Sequence, residues 1–249
     1  ALAEVADRLL AAAALPRHGL ALDLCGGSGL LTGPLLRALP EGSLYSLAAD
    51  PAAADTLRAF AAQAPGAEGP VVLQGGPADL ERLLALRGES GLRFDAILGR
   101  EPPWARDPQE RQGSLAQLAG RLADGGRLAL ALRLPGADSR PLDLLGEDAG
   151  LAPDLLDRAR AAQAAAYAAE PGLSLDVAAL RMEMQAAGLS VLSADLLTQI
   201  HGLRGLPGLL DRWFAPGASF AAHLAQGVDD AELVQLRAAL ARMLAEGTA

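Results

Sequence analysis

Short apolar runs alternate with longer amphipathic stretches over the first 135 residues. Five of these runs have the length and composition of buried strands, and most are followed by residues at helical spacing. The predicted strands lie at 20–24, 43–49, 71–73, 94–98 and 127–134. Repeated strand–helix units predict a parallel sheet with helices on both faces, so the pattern predicts an α/β fold.

Between and after these strands the periodicity is helical. Helices are predicted from residue 2, at 30–39, at 52–64, up to residue 85 and at 109–122. Beyond residue 135 the pattern favours helices at 155–169, 177–187, 206–214, 219–226 and 231–244, with one or two further strands over 189–203. We therefore predict a main domain at 1–203 with a helical insertion at about 136–172, followed by a helical C-terminal extension at 204–249.

Two missing residue types exclude several kinds of chemistry. All 21 basic side chains are Arg, and the 249 residues contain neither Lys nor Asn. A Walker-type phosphate loop, a pyridoxal phosphate Schiff base and a protein-kinase site each need a Lys amine. A Cys-His-Asn protease triad needs Asn. One Cys and three scattered His are too few for a structural zinc site, so no metal is predicted.

Charge and hydropathy restrict the binding partners and the cellular compartment that we expect for this protein. The net charge is −9 and neither half of the chain is basic, which argues against direct nucleic-acid binding. No apolar run approaches the roughly 18 residues of a membrane span, and the first 15 residues predict an amphipathic helix rather than a signal peptide. A lone Cys fits a reducing compartment, so a cytoplasmic location is expected.

A glycine-rich stretch follows the first predicted strand, where a strand-to-helix turn can bring backbone N–H groups close to a ligand. It reads Leu22-Asp23-Leu24-Cys25-Gly26-Gly27-Ser28-Gly29. Its spacing differs from the G-x-G-x-x-G dinucleotide motif, because the third glycine position is Thr32. The alternative is a tight turn that binds nothing.

With its neighbours this stretch resembles the first motif of class I S-adenosylmethionine-dependent methyltransferases, D-x-G-x-G-x-G, with Cys25 in place of the first glycine. The segments 94–99 and 125–128 also fit that family. The resemblance implies a Rossmann-like fold with a mostly parallel seven-stranded sheet and S-adenosyl-L-methionine as cofactor. It implies that the cofactor-binding residues are Asp23, Cys25, Gly26, Gly27, Gly29, Asp50, Pro51, Gly76 and Gly99.

Asp50 stands where the family places an acid for the ribose hydroxyls, and a carboxylate suits two hydroxyl donors. A helix N-cap before Pro51 is the other interpretation, and both roles can coexist. The family often places an acid after the third strand to meet the adenine amino group. Here that position is Gly76, and we expect Asp79 to lie too far into the next helix to replace the acid.

The loop after the fourth strand carries the candidates for catalysis, although the residues do not establish a catalytic set. Glu101-Pro102-Pro103-Trp104 resembles the D/N-P-P-Y/W motif of amino-group methyltransferases, in which the acid or amide accepts from the target amine. Glu101 and Trp104 are therefore candidates. The favoured alternative is a Pro-rich loop in which Trp104 covers the edge of the core.

Other single residues have two interpretations each. Cys25 is either a thiol whose pKa falls at a helix N-terminus or a replacement for glycine. Arg133 either serves an anionic substrate or forms a salt bridge. The pair Trp213-Phe214 either anchors a helix or binds a partner. His18, His201 and His223 are each interpreted as structural.

Two functions remain open. The first is a methyltransferase acting on a small molecule or a protein, for which Asp23, the glycine loop and Asp50 are retained. The second is an interaction or regulatory domain that keeps the fold without catalysis, favoured by the missing acid at Gly76. The segments 30–32, 94–100 and 213–214 and the helical tail are similar to a methyltransferase-like domain fused, in some bacteria, to a replication-associated recombination AAA+ ATPase. A fused or partner ATPase is therefore expected under this second interpretation.

Overall fold

The computed structural model describes residues 2–62, 69–105, 107–134, 140–146, 148–170, 175–198, 208–215 and 217–246. Its internal contacts divide the chain into two compact units. Unit 1 comprises 1–133 and 178–194, and unit 2 comprises 134–177 and 195–249. The predicted insertion and the predicted C-terminal extension both fall in unit 2, while the domain boundary at 203 and 204 stays a prediction.

Unit 1 is built on a parallel five-stranded sheet. Its strands are β1 (Leu20–Asp23), β2 (Ser43–Ala48), β3 (Val71–Gln74), β4 (Phe94–Arg100) and β5 (Leu122–Ala131), in the order β3-β2-β1-β4-β5. The α/β fold and the parallel sheet are confirmed. The described residues contain five strands, so the predicted count of seven is not confirmed.

Ten α-helices lie in the described parts of the chain. They are α1 (Leu2–Ala13), α2 (Thr32–Ala38), α3 (Pro51–Ala62), α4 (Leu80–Leu86), α5 (Pro108–Ala119), α6 (Pro153–Ala169), α7 (Val177–Ala186), α8 (Leu209–Phe214), α9 (Ser219–Leu224) and α10 (Asp230–Glu246). Helices α1 to α5 belong to unit 1, as does α7 beyond its first residue, and α6, α8, α9 and α10 belong to unit 2.

The sheet of unit 1 is covered on both faces, as near-continuous apolar strands require. Consecutive residues of β4 show the division, because Ile97 packs with α4 and α5 while Leu98 packs with α1 and α2. Tyr45 and Phe94 meet edge to face with ring centroids 5.5 Å apart. Strand position therefore fixes which helices each side chain contacts.

Two predictions about strands are wrong. Residues 189–198 form neither strand nor helix, and their side chains are mostly exposed, Leu192 at 75%, while residues 199–203 of the predicted run lie outside the described residues. An isolated apolar run gains no strand structure without a neighbouring strand to pair with. Strand β5 starts five residues earlier than predicted, at Leu122, because Leu122 already pairs with Phe94. Residues 123–126, between the predicted helix and the predicted strand, lie inside β5 as an irregularity between the pairs Phe94↔Leu122 and Ala96↔Arg127.

Unit 2 has a core of its own, formed by the short 3₁₀ turn Pro141–Leu144 and by the apolar faces of α6, α9 and α10. Gln163 is buried in it and accepts a 3.1 Å hydrogen bond from the Leu142 N–H. Phe214 packs on this core, and Trp213 lies 6.0 Å from the ring of Phe220. These contacts agree with the interpretation that the pair anchors a helix.

No helix in the described residues combines the length and the apolar character that a membrane span requires.

Candidate functional site

The residues expected to bind a cofactor lie at one edge of the sheet in unit 1. Strand order reverses between β1 and β4, so the loops that follow these two strands are expected to diverge at the carboxyl edge of the sheet. The glycine loop follows β1, and the Glu101–Trp104 loop follows β4. Open α/β sheets bind their ligands at this kind of position.

Asp23 is the last residue of β1 and holds the glycine loop through hydrogen bonds. Its side chain is fully buried, Oδ1 accepts a 2.9 Å hydrogen bond from the Cys25 N–H, and Oδ2 accepts a 3.1 Å bond from the Thr32 hydroxyl. The loop then makes one 3₁₀ turn at Gly26–Ser28 and leaves it at Gly29, whose φ of 66° favours glycine. Asp23 thus supports the loop rather than facing solvent.

Two glycines of the loop are required by close packing. A Cβ at Gly26 would lie 2.7 Å from Leu57 Cδ1, and a Cβ at Gly27 would lie 2.6 Å from Ala53 Cβ. The loop therefore rests directly on the first turns of α3. Ser28 and Gly29 remain exposed, with open space around Gly29.

Asp50, which follows β2, lies next to the glycine loop. It is exposed, and its Oδ1 accepts a 2.8 Å hydrogen bond from the Ala53 N–H, so it caps α3 with Pro51 at the first helical position. Ala53 thus contacts the Asp50 carboxylate through its N–H and Gly27 through its Cβ. The acid and the glycine loop lie side by side.

The segment after β3 departs from the family pattern, and Asp79 lies nearer to Gly76 than expected. Gly76 is extended with open space where a Cβ would stand. Asp79 stands in the short 3₁₀ turn ahead of α4, and its Oδ2 accepts a 3.1 Å hydrogen bond from the Gly76 N–H, while the expectation that it does not replace the acid stays a prediction. Its Oδ1 accepts a 2.9 Å bond from Arg82, and these bonds lower the pKa of Asp79, the Arg82 bond having the larger effect.

The end of β4 completes the edge. Gly99 is buried, and a Cβ there would lie 3.0 Å from Leu24 Cδ1, so glycine leaves room for the Leu24 side chain. Arg100 donates to Glu101 Oε1 at 3.2 Å, and both side chains are about one-third exposed. Glu101 has a φ of 46°, which is strained for a residue with a side chain.

Trp104 lies in the main core of unit 1 at 8% exposure, in agreement with the interpretation that it covers the edge of the core. Its indole N–H finds no hydrogen-bond partner among the described residues. A buried donor without a partner is uncommon in folded proteins.

Burial controls the two titratable groups of the glycine loop. Loss of hydration raises the pKa of Asp23 to about 6, against the opposing effect of its two hydrogen bonds. Burial and then the charge of Asp23 raise the pKa of the Cys25 thiol to about 11. The interpretation of Cys25 as a low-pKa thiol is therefore wrong, and its thiol is neutral at physiological pH.

Two of the three His residues lie in the described part of the chain. His18 is exposed before β1, His223 lies on α9 in unit 2, and His201 lies outside the described residues. Within the described part of the chain, no group of three or more His, Cys, Asp or Glu side chains is arranged to hold a metal ion.

Sequence reasoning missed two supporting contacts. Thr32 binds the Asp23 carboxylate, and Arg111 on α5 binds Glu183 on α7 through Nε and NH2, at 2.5 and 2.7 Å. Thr32 could have been found as a polar residue next to the loop. Arg111 could not, because it stands among Gln and Glu residues that indicate a solvated helix face.

Comparison with solved structures gives relatives of the fold. A candidate sarcosine dimethylglycine methyltransferase from Galdieria sulphuraria is 15% identical, with 99% of this chain and 80% of that chain covered and a TM-score of 0.54. The glycopeptide N-methyltransferase MtfA, solved with S-adenosyl-L-methionine, is 23% identical over 55% of this chain and 57% of its own, with a TM-score of 0.43.

Magnesium protoporphyrin IX methyltransferase (ChlM) from Synechocystis PCC 6803, also with bound S-adenosylmethionine, is 18% identical over 49% of this chain and 52% of its own, with a TM-score of 0.38. The match thus spans about half of MtfA and of ChlM. No protein-family profile matches the chain, and no curated protein sequence is significantly similar to it. The nearly full-length likeness to the Galdieria protein shows an α/β Rossmann-like methyltransferase fold.

Proposed function

We propose that this chain is an S-adenosyl-L-methionine-dependent methyltransferase acting on a small molecule or a protein. The observation that carries the proposal is the arrangement around Ala53, which contacts both the glycine loop at Gly27 and the carboxylate of Asp50. Exposed loop backbone beside an exposed carboxylate fits a ligand with a charged end and vicinal hydroxyls. Both lie at the carboxyl edge of the sheet, because they follow β1 and β2.

The predicted cofactor-binding residues divide into two groups under this proposal. The residues that are at least partly accessible would contact the cofactor, and these are Cys25, Gly27, Gly29, Asp50, Pro51 and Gly76. The buried residues would shape the site, and these are Asp23, Gly26 and Gly99. When bound, the cofactor would supply a sulfonium methyl group. Transfer of that group to a nucleophilic atom of the acceptor would leave S-adenosylhomocysteine, and the acceptor would lose a proton.

Such a transfer depends mainly on alignment of the two reactants. Glu101 and Trp104 follow β4 beside the glycine loop, since the Leu24 N–H donates to the Leu98 carbonyl at 2.8 Å. The Glu101 carboxylate is paired with Arg100 and would act on the acceptor side. The buried Trp104 would line that side without stacking on the acceptor.

Calorimetric titration with S-adenosylhomocysteine tests the proposal. Asp50→Asn keeps the cap on α3, because an Asn side chain also accepts from the Ala53 N–H, but it removes the charged acceptor for the ribose hydroxyls. We expect the thermal midpoint to stay unchanged and the Kd to rise about 5- to 30-fold, which corresponds to about 1–2 kcal/mol.

Asp107→Asn is the matched control. Asp107 caps α5 in the same way, accepting from the Gln109 and Glu110 N–H groups at 2.9 and 2.8 Å, and its variant should bind as tightly as the wild type. No heat of binding at millimolar ligand would overturn the proposed function. An unchanged Kd in Asp50→Asn alone would remove Asp50 from the site.

The second candidate is an interaction or regulatory domain that has lost catalysis. The observation in its favour is Gly76, because the open space there would accept an acidic side chain and the chain has none. Asp79 is held by Arg82 and the Gly76 N–H. The comparisons give no support for a fused or partner ATPase, which stays a prediction, as does a cytoplasmic location.

A further inference from the structure

Arg111 occupies an unusual place for a guanidinium. Its side chain is 3% exposed on α5, and Glu183 on α7 is 14% exposed. The two form a fork-to-fork ion pair, in which Nε donates to Oε2 and NH2 donates to Oε1. This geometry uses two of the three nitrogens of the guanidinium.

The third nitrogen holds the loop after β4. Arg111 NH1 donates to the carbonyl of Ala105 at 2.8 Å, at the end of the segment that contains Glu101 and Trp104. This segment carries a positive φ at Glu101 and a buried indole N–H without a partner among the described residues. Both features cost free energy, so other contacts must hold the loop in this conformation.

A stabilising role alone does not explain the ion pair. A buried pair of opposite charges contributes little net stability, and apolar residues of similar volume often replace it without loss. The guanidinium adds direction, because its planar fork is fixed by Glu183 and therefore presents NH1 to one point of the loop.

We propose that Arg111 is a positioning residue, oriented by Glu183, that holds residues 101–105 in the conformation required on the methyl-acceptor side of the site. This inference rests on the proposed function for the meaning of that side. The contact between Arg111 and the loop is independent of it.

Trp104 provides a direct readout of the loop. The chain has two Trp residues, so Trp213→Phe leaves Trp104 as the single tryptophan, which can be excited selectively over the two Tyr residues. In that background we expect Arg111→Met to raise the acrylamide quenching constant of Trp104 at least twofold and to shift its emission to longer wavelength, with the protein still folded. A change that only lowered stability would shift the thermal midpoint and leave Trp104 in the folded state unaltered.

Arg121→Met is the matched control. Arg121 is also largely buried and donates to a loop carbonyl, that of Ser90, at 2.6 Å, and its ion pair is with Glu81 rather than with a residue of 101–105. Its variant should lose stability without a change in Trp104 quenching. Equal quenching in Arg111→Met and in the Trp213→Phe parent would overturn the proposal.

The double variant Arg111→Met/Glu183→Met separates orientation from charge burial and also serves if Arg111→Met does not fold. Removing both charges should restore most of the thermal midpoint, whereas Trp104 should stay accessible because Ala105 still lacks its donor. Recovery of the parent quenching constant would overturn the proposal.

Titration with S-adenosylhomocysteine distinguishes this proposal from the proposed function. The Kd of Arg111→Met should stay within twofold of the parent, since the glycine loop and Asp50 are untouched. A tenfold loss of affinity would overturn a role limited to the acceptor side. Absence of binding in the parent would overturn the proposed function, and the Trp104 measurements would still decide whether Arg111 positions the loop.

Discussion

The Asp23 carboxylate is buried by the loop that it holds. Its two hydrogen bonds do not replace all the hydration that it loses, so its pKa rises to about 6 from an ordinary value of 3.8. Near neutral pH the folded protein therefore carries a buried negative charge, an unfavourable arrangement that the conformation of the glycine loop requires.

Asp23→Asn should change how stability depends on pH. Because the folded-state pKa of Asp23 exceeds its unfolded value, its favourable contribution is fully present below about pH 4 and is lost as the pH rises through 6. Relative to Asp23→Asn, the wild type should lose on the order of 2–3 kcal/mol between pH 4 and pH 7. Urea unfolding at a series of pH values measures this difference.

Thr32→Val should shift the pH dependence of stability that Asp23 causes, whereas Asp23→Asn should abolish it. The Thr32 hydrogen bond lowers the pKa of Asp23, so its removal should move the loss of stability to higher pH. Parallel pH profiles for the wild type and Asp23→Asn would contradict the prediction.

At the scale of elements, the glycine loop and α3 fit together because both sides of their contact are small. Gly27 has no side chain and Ala53 has only a methyl group. A methyl group added at Gly27 would lie 2.6 Å from the Ala53 Cβ. This contact fixes the loop against the helix that Asp50 caps.

Gly27→Ala should weaken S-adenosylhomocysteine binding at least tenfold by pushing the loop away from α3. Ala53→Gly removes the opposing methyl group, so Gly27→Ala/Ala53→Gly should recover most of the affinity, at a helix cost of about 0.5–1 kcal/mol in stability. Calorimetric titration of the four proteins measures the recovery. Ala53→Gly alone should bind normally, and a double variant as weak as Gly27→Ala would refute the packing explanation.

The sequence indicated the elements that local periodicity encodes. Strands β1 to β4 lie close to their predicted positions because each is a short apolar run followed by a turn, and the loop at 25–29 was found through its glycines. The run at 189–198 has the same local character without a strand partner, and the prediction failed there. Arg111 and Glu183 lie 72 residues apart, and no local pattern records such a contact.

At the scale of the whole molecule, the two units have separate cores. Leu236 is fully buried among α6, α9 and α10 in unit 2, and Leu118 is fully buried beneath the sheet of unit 1. The proposed cofactor-binding residues all belong to unit 1.

Leu236→Ala should therefore lower the stability of unit 2 by about 2–5 kcal/mol and leave the Kd for S-adenosylhomocysteine within twofold of the wild type. Differential scanning calorimetry and isothermal titration measure the two quantities. Leu118→Ala is the comparison, since it removes the same atoms from the core of unit 1. A tenfold weaker Kd in Leu236→Ala would show that unit 2 takes part in cofactor binding.

The Arg111–Glu183 pair also has a consequence for synthesis on the ribosome. Unit 1 is formed by two separate stretches of the sequence. Arg111 is therefore synthesised 72 residues before Glu183, and many of the residues between them belong to unit 2. At a synthesis rate of about 5–20 residues per second, roughly 4–14 seconds pass between the synthesis of Arg111 and that of Glu183. A nascent chain released at Arg133 would hold a positive charge in an apolar interior, so the N-terminal sheet is expected to mature only after the ribosome has passed α7.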